Sequence, residues 1–407
     1  MKIYTKEEAL DDYKKVIDLV SDLMLNNREW VKRYHDYLKE LIADSEKSKK
    51  IVQLMKCCKI TPPLSRYSSI SEIKNDTRKY SIKHDIRILG YSIGKLDRNK
   101  DGLYVNNINI SNLKNNILPL INENSRDKLE KLILKFEKKK LEVQKEKTKK
   151  KKVNDGFEWK SKEMKSFRSI SQNIKTFSLI NYNSEHSYEN LLLLGLKHGS
   201  KLLKNITPIM LINDSFFFQM PTCIRASDAK KDIKSIKENI KYAAEKGGGI
   251  DILARTRSNK AKLCVIELKN EYKEEEKPIL AIRQAIAYAV FLDYLIRTKD
   301  ANLAKKSWYS DIFVPNSKSK LLDSIIINVL VAMPFKDGCS NKETLTDEDK
   351  NIPKIKLDLP EIEGHKDKIN LHYMFFNPKW LKNVLSKNPI ENGICTSLFD
   401  ENGHLCN

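Results

Sequence analysis

Between Gly247 and Arg297 the chain alternates apolar and polar stretches in an order that leaves few folding options. Three glycines, Gly247 to Gly249, lead into Ile250-Asp251-Ile252-Leu253-Ala254-Arg255, and a polar turn follows at Ser258-Asn259-Lys260. Next comes Leu263-Cys264-Val265-Ile266-Glu267-Leu268-Lys269, and after Pro278 a long apolar run extends from Ile279 to Arg297. Two short apolar runs separated by a turn predict a hairpin, and the longer run behind a proline predicts a helix. The run Cys264-Val265-Ile266 predicts a strand buried on both faces that ends in charge.

Residues two apart on a strand point to the same face. Glu267 and Lys269 therefore project together, and a tight hairpin brings Asp251 beside them. Two carboxylates a few ångströms apart repel each other unless a cation lies between them. All-oxygen ligands of this kind suit Mg²⁺ or Mn²⁺. A lysine one strand step away can hold a water or offset charge building on a phosphate. Gln284 and Tyr288 stand four apart on the following helix and share a face. In outline this is a site for metal-assisted phosphodiester hydrolysis. The alternative is a surface hairpin with solvated charges, in which Glu267 and Lys269 form a weak pair. It leaves the apolar run before Glu267 unexplained.

Asp251, Glu267-Leu268-Lys269 and Gln284-Ala285-Ile286-Ala287-Tyr288 together resemble the PD-(D/E)xK nuclease superfamily, including the Q-x-x-x-Y addition of several of its branches. Ile250 stands where the motif's name has proline, a departure that touches no ligand. The resemblance implies a restriction-endonuclease-like core, a mixed sheet flanked by helices. It implies that Asp251 and Glu267 bind the metal, that the Leu268 carbonyl adds to its shell, and that Lys269 is the catalytic lysine. Gln284 and Tyr288 would brace the site or touch DNA. The first core helix of that fold often adds another acidic residue, for which Glu185 and Glu189 are candidates. Glu189 is preferred because it lies inside the first full turn; the alternative is a capping or surface glutamate. A prokaryotic restriction or phage-defence effector is the expected role, by analogy of fold alone. A nucleic-acid binder that no longer cuts, or a sensor or scaffold of a defence complex, are the rival expectations.

The formal net charge of +21, from 75 Lys and Arg against 54 Asp and Glu, favours a polyanionic partner, here DNA. A lysine-rich composition inherited from an AT-rich genome is the competing account, but it does not require the acidic residues to lag so far. Arg255, Arg257 and Arg283 are the candidate phosphate contacts, though each also reads as a surface charge. A homodimer or a defence-complex protein are the other expected partners. The seven cysteines include no C-x-x-C pair, which fits a reducing cytoplasm and excludes zinc or iron–sulfur spacing. Neither a signal peptide nor a run approaching a membrane span is read, so a cytoplasmic protein without a membrane partner is expected.

Three parts are expected: an α-rich N-terminal domain at 1–155, the nuclease domain at 156–390, and a tail at 391–407. Helical spacing recurs at Tyr13, Val16, Ile17, Val20 and Met24, and again at Trp30, Tyr34, Tyr37, Leu38 and Leu41. The aromatics of the second stripe fit core packing better than base stacking. Asp97-Arg98-Asn99-Lys100-Asp101-Gly102 copies half of a calcium loop, but position twelve is Ile108, which favours a plain turn. A charged helix is expected over 125–152, ending in four lysines as a solvated connector or a DNA-backbone contact. A capped helix follows at Ser184–Leu203, then a strand at Ile206–Gln219 and a basic helix at Asp228–Glu245. Ile325–Met333 reads as a central strand, 337–366 as polar loop and Lys368–Phe376 as a further strand.

Overall fold

A computed structural model of the chain describes residues 5–48, 58–60, 83–88, 91–99, 102–148, 156–171, 185–198, 205–211, 216–226, 239–243, 248–257, 262–270, 277–299, 307–315, 323–335, 352–377 and 394–396. The expectations for the lysine run at 149–152, the turn at 258–260, residue 184, most of the helix at 228–245 and most of the tail fall outside these residues.

The chain opens with α1 (Lys6–Asn26), held by a reciprocal cap in which Glu8 N donates to the Thr5 hydroxyl and Thr5 N donates to the Glu8 carboxylate. α2 (Glu29–Ser48) buries Trp30, Tyr34 and Tyr37, so its aromatic stripe is core, as expected. Then come β1 (Cys58–Ile60), β2 (Lys83–Ile88), β3 (Tyr91–Asn99) and β4 (Gly102–Asn106). The N-terminal part thus carries strands beside the helices expected of it. Ile86 and Ile88 alternate with Arg87, the strand period, and both isoleucines are buried. Of the half calcium loop, Asp97 to Asn99 belong to β3 and Gly102 opens β4, with Asn99 paired to Gly102; Lys100 and Asp101 lie outside the described residues.

α3 (Glu123–Thr148) buries Leu129, Leu132, Ile133 and Phe136 and leaves the rest largely to solvent. β5 (Phe157–Glu158), α4 (Lys162–Ser171), α5 (Glu185–His198), β6 (Ile206–Pro208), β7 (Met210–Leu211) and β8 (Phe216–Phe218) follow. The single strand expected over 206–219 is thus three. Ile209 divides them, donating its N–H to Leu253 in one sheet while its carbonyl accepts from Phe218 N in another. β9 (Ile224–Arg225) pairs with β10 (Lys241–Tyr242), a strand where the basic helix is expected to continue to Glu245. β11 (Ile252–Thr256), β12 (Leu263–Leu268), α6 (Pro278–Arg297) and β13 (Ile326–Pro334) follow, then β14 (Lys356–Asp358), β15 (Lys368–Phe376) and β16 (Ile394–Thr396). β14 lies inside the stretch expected to be loop.

One sheet runs β5-β4-β3-β2-β1-β8-β7 and joins strands from both sides of residue 155. The other runs β14-β15-β13-β12-β11-β6, with β16 sharing the outer edge of β15. It is mixed: β6, β11 and β12 are antiparallel neighbours, while β12, β13 and β15 run parallel. The parallel pair β12 and β13 is connected through α6, the crossover that a parallel pair requires. β13 and β15 are buried along almost their whole length, as strands covered on both faces must be.

α6 corrects the expectation that no run reaches the length of a membrane span. It has 20 residues and is apolar enough to cross a bilayer, but it is buried inside the protein at every position except Leu280 and Gln284. α1 packs along it. Tyr13 donates its hydroxyl to the Ile279 carbonyl at 2.7 Å, and Arg283 pairs with Asp12, both side chains fully enclosed. Trp30 of α2 meets Phe291 of the same helix edge to face, and the Tyr34 ring is tilted against Phe291 at 5.1 Å.

At its other end Arg297 grips Asp367 through Nε and through Nη2 at 2.6 Å, and Ile325 N donates to the same carboxylate. Removing one partner of a buried ion pair strands the other's charge. Asp12→Ala should therefore lower the unfolding free energy by about 3 kcal/mol in urea titrations, and Arg283→Met in the Asp12→Ala background should recover part of that loss. Equal stability of Asp12→Ala and the parent would show that the pair carries no weight.

Candidate active site

The site lies where β12 ends and β11 begins. These strands pair Ile252 with Ile266, so the next step of the ladder sets Asp251 opposite Glu267. The Leu268 N–H donates to Asp251 Oδ2 at 2.9 Å and ties the loop carboxylate to the neighbouring strand. Lys269 is fixed through its backbone, whose N–H donates to the Ala332 carbonyl of β13 at 2.8 Å. Its Nζ donates to Glu267 Oε1 at 2.7 Å and to Gln284 Oε1 at 3.2 Å, and Gln284 Nε2 donates to the Tyr288 hydroxyl at 3.3 Å. Glu267 and Lys269 are 2% and 7% exposed, so their pair is nothing like a solvated surface bridge. The spacing Glu267-x-Lys269 and Gln284-x-x-x-Tyr288 thus brings four side chains into one hydrogen-bonded chain across a strand and a helix.

α5 closes the cluster. Glu189 is buried, Glu185 is half-buried, and both act on Asp251 electrostatically, Glu189 the more strongly. Burial first, then the negative charge of Glu267, Glu189 and Glu185, hold the Asp251 carboxyl well above its ordinary range, against the pull of the Leu268 N–H. The Tyr288 phenol is likewise raised by burial and by Glu267, Asp251 and Glu185, so it stays a neutral hydroxyl. Both candidate glutamates of α5 are therefore near enough for their charge to reach Asp251.

Among the described residues no three His, Cys, Asp or Glu side chains are gathered closely enough to hold a metal ion as they stand. The donor chemistry nonetheless fits a hard divalent cation. The groups that crowd Asp251 are all carboxylates, they raise its proton affinity, and a cation would relieve that repulsion.

The three arginines separate. Arg255 is half-buried on β11, two strand steps from Leu253 and four from Asp251, on their face of the strand. Arg257 is exposed just beyond β11. Arg283 is corrected: at 1% exposure and paired with Asp12, it is a strut between α1 and α6 and reaches no phosphate.

Gly248 has a packing role of its own. Gly248 and Ile250 run beside residues 220–224, with Thr222 N donating to Gly248 O and Ile250 N to Met220 O. A Cβ on Gly248 would sit 2.2 Å from the Tyr288 hydroxyl oxygen and 3.0 Å from its Cζ. Only glycine lets that phenol seat against the backbone, a role that local sequence gives no sign of.

No protein-family model matches the chain, and no curated protein or solved structure matches it.

Two substitutions test this geometry. Asp251→Asn keeps an oxygen for the Leu268 N–H and removes the repulsion. Because the folded-state proton affinity of Asp251 is raised, its ionisation costs stability above the ordinary carboxylate range. The variant should melt about 2 °C or more higher at pH 7, and the gain should vanish as the pH falls below that range. A lower melting temperature at pH 7 would contradict the crowding. Gly248→Ala should lower the melting temperature, and by less when Tyr288→Phe is also present, since the closest clash is then gone.

Proposed function

We propose that the chain is a divalent-metal-dependent deoxyribonuclease with a restriction-endonuclease-like core, acting as a prokaryotic restriction or phage-defence effector in the cytoplasm. The observation that carries the reading is the meeting of Asp251, Glu267, Lys269, Gln284 and Tyr288 with a glutamate-bearing helix at the end of β12. The order α5, β6, β11, β12, α6, β13 supports this reading: with β7 to β10 set between β6 and β11, it agrees with the helix, strands, helix and strand expected of the resembled core. The charge of +21 supports a DNA partner.

Asp251, Glu267 and Glu189 would hold Mg²⁺ or Mn²⁺, which when bound supplies Lewis-acid activation of a phosphate and of water. Lys269 provides a positive charge against the negative charge that grows on the phosphate in the transition state. Gln284 steadies the Lys269 ammonium through its carbonyl oxygen, and Tyr288 steadies Gln284 in turn. Arg255 and Arg257 are the phosphate contacts of this reading.

The second reading, binding without cleavage, is favoured by the direct Lys269–Glu267 ion pair, which engages the lysine with a ligand carboxylate. Labelled DNA and RNA, single- and double-stranded, incubated with and without Mg²⁺ or Mn²⁺, separate the two. The nuclease reading expects metal-dependent cleavage of DNA. It expects Glu267→Ala and Lys269→Ala to lose on the order of 10²-fold or more in rate while binding DNA nearly as well. Equal cutting by both variants and the parent would sink the site assignment. DNA binding by the parent with no cleavage, and no heat on titrating Mg²⁺ into the protein, would establish the second reading.

A further inference from the structure

Away from the carboxylate cluster, a groove of about 510 Å³ opens between α3 and the segment that follows β4. That volume suits one small ligand. Phe136 and Val143 form a buried apolar floor, and the half-buried Phe157 meets Phe136 edge to face, with ring centroids 4.9 Å apart. Asn107, Ser111 and Gln144, all exposed, supply amides and a hydroxyl that both donate and accept hydrogen bonds. Asn107 holds a left-handed backbone, with φ of 52°, a sparsely populated conformation. Lys140 lines the same groove, and Lys139 lies with its Nζ 4.7 Å from the centre of the Phe157 ring.

We propose that this groove is a second nucleic-acid-related site that takes a single nucleotide, base and phosphate together. An aromatic and aliphatic floor suits a flat heterocycle, because every base has a face to lay on apolar surface. Side-chain amides match the mixed donor and acceptor edge of a base, which apolar or purely cationic ligands lack. Lys140 supplies the charge that a phosphate needs. No acidic side chain is among the lining residues, which disfavours a cationic ligand. The same chemistry is presented by a free mononucleotide and by an unpaired nucleotide in a single strand. None of the lining residues belongs to the carboxylate cluster, so the site stands independently of the cleavage reading.

The test is calorimetric titration of the full chain, without divalent cation, with AMP, GMP, CMP and UMP and with a single-stranded oligothymidine. At least one of these should bind, with affinity reduced about tenfold or more by Lys140→Glu and again by Gln144→Ala. Both positions are exposed, so the variants should keep the parent's melting temperature. Binding of mononucleotides points to a free nucleotide as the ligand, and Lys140-dependent binding of the oligonucleotide alone points to an unpaired nucleotide in a strand. Either outcome supports the site. No heat from any probe at roughly 5 mM, or affinity unchanged by Lys140→Glu, would overturn it. Binding lost in Glu267→Gln would also overturn it, by assigning the nucleotide to the carboxylate cluster. Since heat rather than cleavage is read, failure here leaves the nuclease reading where it stands.

Discussion

The interior position of α6 requires that its charges be answered. A guanidinium cannot lose its proton to escape burial, so each buried arginine needs a carboxylate brought to it. Arg283 finds Asp12, 271 positions earlier in the chain, and Arg297 finds Asp367, 70 positions later. One pair fastens the N-terminal helices to the core helix, and the other fastens the core helix to the sheet. Asp293, also fully enclosed, lies beside this pair, and burial and hydrogen bonding with Asp367 raise its proton affinity. These contacts set the axial position and rotation of α6. Its two positions left unburied are Leu280 and Gln284, and Gln284 is the one that meets Lys269.

That arrangement places a stabilising framework behind a destabilising centre. Around Asp251 like charges crowd in a water-poor setting, which raises its proton affinity and taxes the fold at neutral pH. Lys269 offsets part of this through Glu267, and the Leu268 N–H offsets part through Asp251. Such local conflict is what a preorganised polar site looks like when the surrounding contacts over-determine it.

Much of the core was legible because its elements are long and strongly patterned. β12, β13, β15 and α6 are mostly apolar and buried over almost their whole length, and such runs have few alternatives. The site was legible because spacings of two on a strand and four on a helix fix which side chains meet. The first sheet was not. Its strands are short, mix charge with isolated isoleucines, and pair across long intervals, as β1 does with β8. Arg283 was misread for a related reason: arginine is rarely enclosed, and nothing near it in sequence announces Asp12. Gly248 could not be understood from its neighbours, since the group that forbids a side chain there is the phenol of Tyr288.

Ile209 has a consequence of a different kind. Its N–H belongs to one sheet and its carbonyl to the other, so the passage between them has no slack. A hinge needs a few residues free to change their dihedral angles, and this corner leaves none at that point. With a single continuous hydrophobic cluster running through both sheets and α1, neither sheet has an interior of its own to retain. The two layers should therefore melt as one cooperative unit, and a force applied to the strands of the first should be felt at the β11 end of the second.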